Sequence, residues 1–234
     1  MEFETKITET FLSKKKNDYG IIVTTIFLIS SLALSQLYWN PGLGLSQYLL
    51  ASPVRVHDNS EYWRLFTSAM IHADLAHFLS NSLFLGLMGY FVTSYFGWLT
   101  FPLVGILMGG VINFIIVASS IGDVGILGAS GIVYWLWGFW LTMYFFIERK
   151  VSVPRRIMKI VAVSLMVLVP TTYEPQTSYF AHFLGLVLGV AIGIVHFAFN
   201  KNYFRSYERH EVILPELDED WPSDEDDNPP LYYQ

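Results

Sequence analysis

Long apolar stretches, separated by polar connections, constrain the fold of this chain more than any other feature. They cover about residues 21–39, 73–93, 101–119, 130–147, 157–170 and 179–199. A run of about 18 or more apolar residues is long enough to cross a bilayer as a helix, although the fifth run is short for a span. Inside lipid the backbone must satisfy its own hydrogen bonds, which favours helices. The sequence therefore predicts an all-α, polytopic membrane protein with six transmembrane helices.

The composition supports a membrane protein and excludes several other classes. Hydrophobic residues make up 53% of the chain and charged residues only 15%, whereas a soluble domain carries about 25% charged residues. The chain has no cysteine. A disulfide scaffold, a zinc-thiolate site and a cysteine nucleophile are therefore excluded.

The distribution of basic residues predicts the orientation in the membrane. Six spans place both termini on one side, and if that side is the cytoplasm, 12 of the 14 Lys and Arg residues face it. Only Arg55 and Arg64 lie outside, in a large loop between the first and second spans. This asymmetry follows the positive-inside rule. We therefore expect a multi-pass protein of the cell membrane (plasma or inner membrane) with both termini cytoplasmic.

The chain divides into three parts on the same grounds. Residues 1–19 form a polar cytoplasmic segment, residues 20–200 form the six-helix membrane domain, and residues 201–234 form a cytoplasmic tail. From residue 211 onward the sequence holds nine acidic residues and no Lys or Arg. Because such a segment buries little apolar surface, the sequence predicts that the tail is disordered.

Polar side chains within the spans collect at one depth. The second, fourth and sixth spans run from outside to inside, so their N-terminal ends all lie near the outer face. These ends carry His72, His77 and Asn81, then Ser130, then His182. Polar groups inside a membrane are costly and often mark function. We therefore expect a functional site just below the outer surface.

A Ser–His contact is the chemistry that this arrangement favours. Three glycines follow His182 at helical spacing, at 185, 189 and 193, and share its face. Small residues let a second helix approach closely, and the fourth span begins with the equally small GASG (128–131). The sixth span packed on the fourth would bring the imidazole of His182 to the hydroxyl of Ser130. A base beside a serine activates it for acyl transfer.

His77 and Asn81 are candidates for stabilising negative charge in that reaction. They are four residues apart on one helix face, and both can donate hydrogen bonds toward an oxyanion, as can the backbone N–H of Ser130. Structural roles are the alternatives: a small residue at a helix junction for Ser130, a backbone-bonded imidazole for His182, and interhelical hydrogen bonds for the other two. No acid lies where a third triad member would be expected, so the sequence predicts a Ser–His dyad.

Neither a cofactor nor a metal site is predicted. The HExxH pattern of zinc proteases is absent. On a helix, His72 and His77 would lie about 140° apart and would not readily share a metal ion.

Four motifs in this order resemble the rhomboid family of intramembrane serine proteases, over about residues 20–200. They are EYWRLFT (61–67), HADLAHFLSN (72–81), GASG (128–131) and AHFLGLVLG (181–189). With no seventh span, the chain is similar to the minimal six-helix prokaryotic form. The resemblance implies cleavage of single-span membrane proteins near the outer edge of the lipid bilayer, with no nucleic acid or metal as a partner.

The resemblance also implies roles for individual residues. Ser130 would be the nucleophile and His182 the general base, with His77 and Asn81 at the oxyanion site. Supporting residues would be Tyr134 (packed on the histidine), His72, Gly128 and Gly131, together with Trp63 and Arg64 in the outer loop. His57, His196 and His210 match no position of the family pattern.

Two other functions remain open from the sequence. A rhomboid-like protein that binds membrane partners without cutting them is one, although Ser130 and His182 are both present. A small transporter is the other, although the chain shows no visible inverted repeat and no acidic relay within its spans.

Overall fold

The computed structural model describes residues 4–167 and 178–213, and this part of the chain is a bundle of helices with a small sheet at one end. The helices are α1 (Gly20–Trp39), α2 (Arg64–Ser68), α3 (Leu75–Phe96), α4 (Gly105–Ser119), α5 (Ser130–Ile147), α6 (Val153–Val167) and α7 (Tyr179–Arg205). The strands are β1 (Glu4–Glu9) and β2 (Arg209–Ile213).

Five of the predicted spans are long and apolar enough to cross a membrane. They are α1, α3, α5, α7 and the segment Leu99–Ser119, which joins a helical turn to α4. The prediction of an all-α polytopic bundle is therefore confirmed. The fifth predicted span differs: α6 begins earlier, at Val153, and 15 of its residues are described. Residues 168–170 of the predicted run lie outside the described residues, so a sixth span remains a prediction.

The helix that begins with Ser130 lies at the centre of the bundle. In α5, 61% of an 18-residue window is buried, compared with 28–39% in the other four spans. It contacts α3, α4, α6 and α7, and the contact with α7 is the most extensive in the described protein. Trp135, Leu136 and Phe139 are fully buried in this core. The candidate serine is thus carried by the most enclosed element of the bundle.

Glycines allow α5 and α7 to touch backbone to backbone, as their spacing predicts. A methyl group on Gly185 would collide with the carbonyl oxygen of Gly131, and one on Gly189 with that of Trp135. On Gly193 it would lie 2.8 Å from Cβ of Thr142. The small-residue face of α7 is therefore filled along its length by α5, which leaves no room for side chains there.

The large connection between α1 and α3 is held together by Arg64. Its guanidinium group is fully buried. Nε pairs with Glu61 at 2.5 Å, and Nη1 donates to the carbonyl oxygens of Gln47 at 2.8 Å and Leu50 at 3.1 Å. The same group lies 4.7 Å from the ring centre of Trp63. One buried cation thus fixes three separate parts of the loop, which agrees with the structural role expected for Trp63 and Arg64.

Two further links join this connection to the rest of the bundle. Nδ2 of Asn113 on α4 donates to the carbonyl oxygen of Leu65 and to Oγ of Ser68, at 2.9 and 3.0 Å. Before α5, Asp123 accepts a hydrogen bond from the backbone N–H of Val54 at 3.0 Å. Hydrogen bonds from the Ser52 hydroxyl and from this N–H hold the pKa of the Asp123 carboxyl below its usual range. The loop is therefore fastened at both of its sides.

The two ends of the described chain differ from the predicted domain boundaries. Residues 201–213, predicted as part of the tail, are structured: α7 continues to Arg205, and β2 pairs antiparallel with β1. Strand β1 lies in the N-terminal segment for which the sequence predicts only a polar cytoplasmic location. Phe11 fastens the N-terminal segment to the bundle. Its side chain is 2% exposed, and its ring packs on the rings of Phe96, Phe204 and Tyr207. Residues 214–234 lie outside the described residues, where disorder remains a prediction.

Candidate active site

Ser130 is the first residue of α5, and a glycine sets the turn that leads to it. Gly128 has φ 130°, a conformation that side chains rarely adopt. Its N–H donates to the carbonyl oxygen of Ser68 at 3.0 Å, and the helical bond from Val133 to Ala129 follows at 3.0 Å. The GASG motif therefore allows a backbone turn that other residues would strain. This turn places the half-buried Ser130 at a helix N-terminus.

This position suits a nucleophile whose reaction creates negative charge. The first N–H groups of a helix have no acceptor within the helix, and the helix dipole is positive at that end. An oxyanion that forms beside Ser130 would therefore be stabilised by the free N–H groups and by the helix dipole.

His182 lies in the first turn of α7, which Ser178 caps by accepting a hydrogen bond from the Ala181 N–H at 3.3 Å. The imidazole ring stacks on the ring of Tyr134, one turn after Ser130, with centroids 4.1 Å apart and an interplanar angle of 11°. Within residues 4–167 and 178–213, Nε2 of His182 is buried and has no hydrogen-bond partner. The packing of Tyr134 on this histidine, implied by the family resemblance, is observed.

Ser130 and His182 belong to the same layer of the α5–α7 contact. Their neighbours face one another: a methyl group on Gly131 would lie 3.9 Å from the carbonyl oxygen of Ala181. It would also lie 3.3 Å from two side-chain carbons of Ile112, so Gly131 gives room to α4 and α7 together. In this conformation the Nε2 atom of His182 makes no hydrogen bond to Ser130. Bonds of this kind are often long until substrate binds.

His77 comes to the same helix N-terminus from α3. Asp74 caps α3 by accepting from the His77 N–H at 2.8 Å. A methyl group placed on Gly128 would lie 3.5 Å from Cε1 of His77 and 3.9 Å from Oγ of Ser130. Imidazole and hydroxyl thus lie within 4 Å of one common point. Asn81 follows one turn later and uses Nδ2 to donate to the carbonyl oxygen of His77 at 3.2 Å.

The position of His72 corrects the sequence analysis. It does not begin the helix with His77 but precedes it, because the cap at Asp74 starts α3 at Leu75. The chain turns between them, and the two rings lie 5.3 Å apart at 80°, close together rather than on different sides of one helix. His72 therefore supports the ring of His77 from outside the helix.

The surroundings of His72 keep it neutral. It is 2% exposed. Its N–H donates to Oγ of Ser35 at 3.0 Å, and Nδ1 lies 3.4 Å from the same oxygen. Burial, and to a lesser degree the nearby His77, lowers the pKa of His72 to about 4. At neutral pH it presents no positive charge to the site.

The contribution of α1 to this site was not predicted from the sequence. Ser35 holds His72, and Nε1 of Trp39 donates to the carbonyl oxygen of His72 at 2.8 Å. Ser31, one turn earlier, donates to the carbonyl oxygen of Met70 at 2.5 Å. The two serines are four residues apart on one face of α1, but Thr24, Thr25, Ser30 and Gln36 also interrupt this span, so their spacing alone was a weak signal.

The described side chains thus offer a hydroxyl at a helix N-terminus, three imidazoles and an amide. Among the described residues, no three His, Asp or Glu side chains are grouped so that they could hold a metal ion. Acyl transfer requires these groups: a hydroxyl nucleophile, a base beside it and hydrogen-bond donors for the oxyanion.

Comparison with known proteins agrees with the geometry. No curated protein matches the chain. A family model described as "Rhomboid domain" matches residues 59–199, which is more than half of the chain and includes every candidate site residue from Trp63 to His182. The chain therefore belongs to the rhomboid family, which is known for intramembrane serine proteases.

Proposed function

We propose that this protein is an intramembrane serine endopeptidase that cuts transmembrane segments near the outer face of the bilayer, using a dyad of Ser130 and His182. One observation carries the proposal. The ring of His182 is held flat against Tyr134, and its buried Nε2 has no hydrogen-bond partner among the described residues, in the layer where α5 begins with Ser130. In that position Nε2 is available to accept the proton of a hydroxyl group.

Acylation begins when Nε2 of His182 takes the proton of the Ser130 hydroxyl. Oγ then bonds to the carbonyl carbon of the scissile peptide, and the carbonyl electron pair moves onto oxygen. Tyr134 keeps the imidazole in one orientation during this step. The neutral imidazole is the form that accepts this proton.

The resulting oxyanion lies by the N-terminus of α5. The backbone N–H of Ser130, the ring of His77 and the second N–H of the Asn81 amide are its donors. His77 is positioned by the Asp74 cap and by the ring of His72. Each donor acts only when charge develops, so its loss lowers turnover rather than substrate affinity.

Collapse of this intermediate breaks the C–N bond, and the imidazolium of His182 gives its proton to the leaving amine. A water molecule then attacks the carbonyl carbon of the acyl-enzyme while His182 takes its proton. The bond to Ser130 breaks, and His182 returns the proton to the Ser130 oxygen. The water must come from the outer aqueous side, which the N-terminal ends of α3, α5 and α7 face in the proposed orientation.

The substrates that fit this site are single-span membrane proteins. A peptide bond inside a helix is shielded by its own turn, so the segment must unwind before it reaches Ser130. Residues with poor helix propensity make that easier. The proposed setting is the cell membrane with both termini in the cytoplasm, supported by the 12 of 14 basic residues on that side.

The test is cleavage of a single-span reporter in proteoliposomes. Wild type is expected to release one product whose new end lies near the outer edge of the reporter's span, and Ser130→Ala and His182→Ala are each expected to abolish it. Circular dichroism and thermal unfolding check that both variants keep the bundle. A reporter that co-purifies with wild type but stays intact would instead indicate a non-catalytic binder.

A further inference from the structure

Helix α6 stands apart from the rest of the bundle. It packs mainly against α5, and most of its apolar side chains remain exposed. The exposed fraction is 48% for Ile157, 64% for Met158 and 64% for Leu165. These side chains form one continuous face with a shallow, open groove along the helix from Val153 to Leu165.

Two unpaired cations lie beside this groove at the end of α6 nearer the chain termini. Arg155 and Lys159 are one helical turn apart, both are exposed, and neither makes a hydrogen bond or ion pair with the described part of the chain. Their basic neighbours differ. Arg149 pairs with Glu208 at 3.1 Å, and Arg156 is buried and donates to the carbonyl oxygen of Phe145. Arg155 and Lys159 therefore differ from Arg149 and Arg156 in carrying positive charge that no described residue compensates.

We propose that this surface, the α6 lipid surface (the Val153–Leu165 groove with Arg155 and Lys159), binds an anionic phospholipid from the leaflet nearer the chain termini. The groove receives an acyl chain and the two cations receive the phosphate. Basic residues at the membrane surface attract anionic headgroups. Lys159 lies about 6 Å further along the axis than Arg155 and reaches back through its flexible stem.

Charge and shape together favour this occupant. An apolar groove that ends beside two cations matches a molecule with a long apolar chain and a negative head. A zwitterionic lipid fills the groove, but its own ammonium group already compensates its phosphate, so it leaves the two cations with an excess of positive charge. A free phosphate ion compensates the cations without filling the groove.

Lipid retention tests the proposal without any dependence on proteolysis. The full chain is placed in nanodiscs that contain equal amounts of phosphatidylglycerol and phosphatidylcholine with the same acyl chains, and bound lipid is measured by native mass spectrometry. Wild type is expected to be enriched in phosphatidylglycerol. Arg155→Gln with Lys159→Gln is expected to lower its affinity for that lipid about 30-fold, since each surface cation contributes a factor of about five.

Matched variants separate this surface from general charge effects. Lys6→Gln with Lys14→Gln removes two cations elsewhere toward the same end of the bundle and should leave the enrichment unchanged. Arg155→Lys with Lys159→Arg keeps both charges and should retain it. Ala162→Trp fills the groove without changing the charge and should reduce it.

Several results would overturn the proposal. They are equal retention of the two lipids by wild type, unchanged enrichment in the double Gln variant, and displacement of the lipid by inorganic phosphate. Enrichment that appeared only after removal of residues 214–234 would also overturn it, because the acidic segment would then occupy the surface in the full chain.

Discussion

The imidazole ring of His182 lies flat against the phenol ring of Tyr134, with centroids 4.1 Å apart and planes 11° from parallel. Stacking restricts rotation of the imidazole about its side-chain bonds while leaving the ring nitrogens at its edge available. The residue that fixes the orientation of the proposed base is thus carried by the same helix as the proposed nucleophile. Any shift of α7 along α5 changes both relationships together.

We expect Tyr134→Ala to reduce kcat by roughly fivefold, because a ring contact of this kind contributes about 1 kcal/mol beyond its area. Tyr134→Phe keeps the ring and should retain most activity. Reporter cleavage over a range of substrate concentrations measures the effect, which should fall on kcat more than on KM. Equal losses in both variants would show that the stack itself is not what matters.

The glycine contact between α5 and α7 predicts a large effect from a small change. Gly185→Ala should lower the free energy of unfolding by about 2–3 kcal/mol, because the new methyl group meets the backbone of α5, which cannot move aside. Gly86→Ala on α3 is the control, since its methyl group meets only Cδ1 of Leu28, at 3.6 Å. Thermal unfolding in detergent compares them. A stable Gly185→Ala protein would contradict the close packing.

Stability should depend on pH through His72. The unfolded chain protonates this histidine below pH 6.5, whereas the folded protein holds it neutral to about pH 4. Its stabilising contribution, about 3 kcal/mol, is therefore fully present above pH 6.5 and is lost as the pH falls toward 4. The Tm of wild type should fall more steeply over this window than that of His72→Asn. If the plots of Tm against pH for the two proteins were parallel, His72 would not be kept neutral in the folded protein.

The buried guanidinium of Arg64 predicts a structural effect in the outer loop. Arg64→Ala leaves two carbonyl oxygens and Glu61 without their donor, and should lower the free energy of unfolding by about 2–4 kcal/mol. Arg64→Lys keeps the charge but not the several donors of the guanidinium group. Its free energy of unfolding should lie between those of wild type and Arg64→Ala. Arg55→Ala, which removes a partly exposed arginine from the same loop, should have little effect. Equal stability of the two alanine variants would contradict the role of Arg64.

Features that follow from the length of an apolar run or from helical periodicity were predictable from the sequence. The apolar runs give the spans because the thickness of the bilayer fixes their length. The glycines at 185, 189 and 193 give the face of α7 because helical periodicity places them together. The depth shared by His77, Ser130 and His182 followed from counting spans.

Features that depend on one local interaction, or on distant pairing, were not predictable in this way. Whether His72 belongs to α3 was decided by a single capping hydrogen bond, which the His77 N–H donates to the Asp74 carboxylate. Strands β1 and β2 join Glu4 to Ile213 across almost the whole chain, and neither is long or apolar enough to stand out as a strand. Their pairing depends on the docking of Phe11, which only the folded bundle provides.

The most direct test of the central claim is labelling with a serine-directed phosphonate, which forms a bond only with an activated serine. Wild type should be labelled with one phosphonate per chain, on Ser130. Labelling should be absent in Ser130→Ala, greatly slowed in His182→Ala, and unchanged in Ser119→Ala, whose exposed hydroxyl donates to carbonyl oxygens of its own helix. Equal labelling of wild type and Ser130→Ala would contradict the account, because the activated hydroxyl would then belong to another residue.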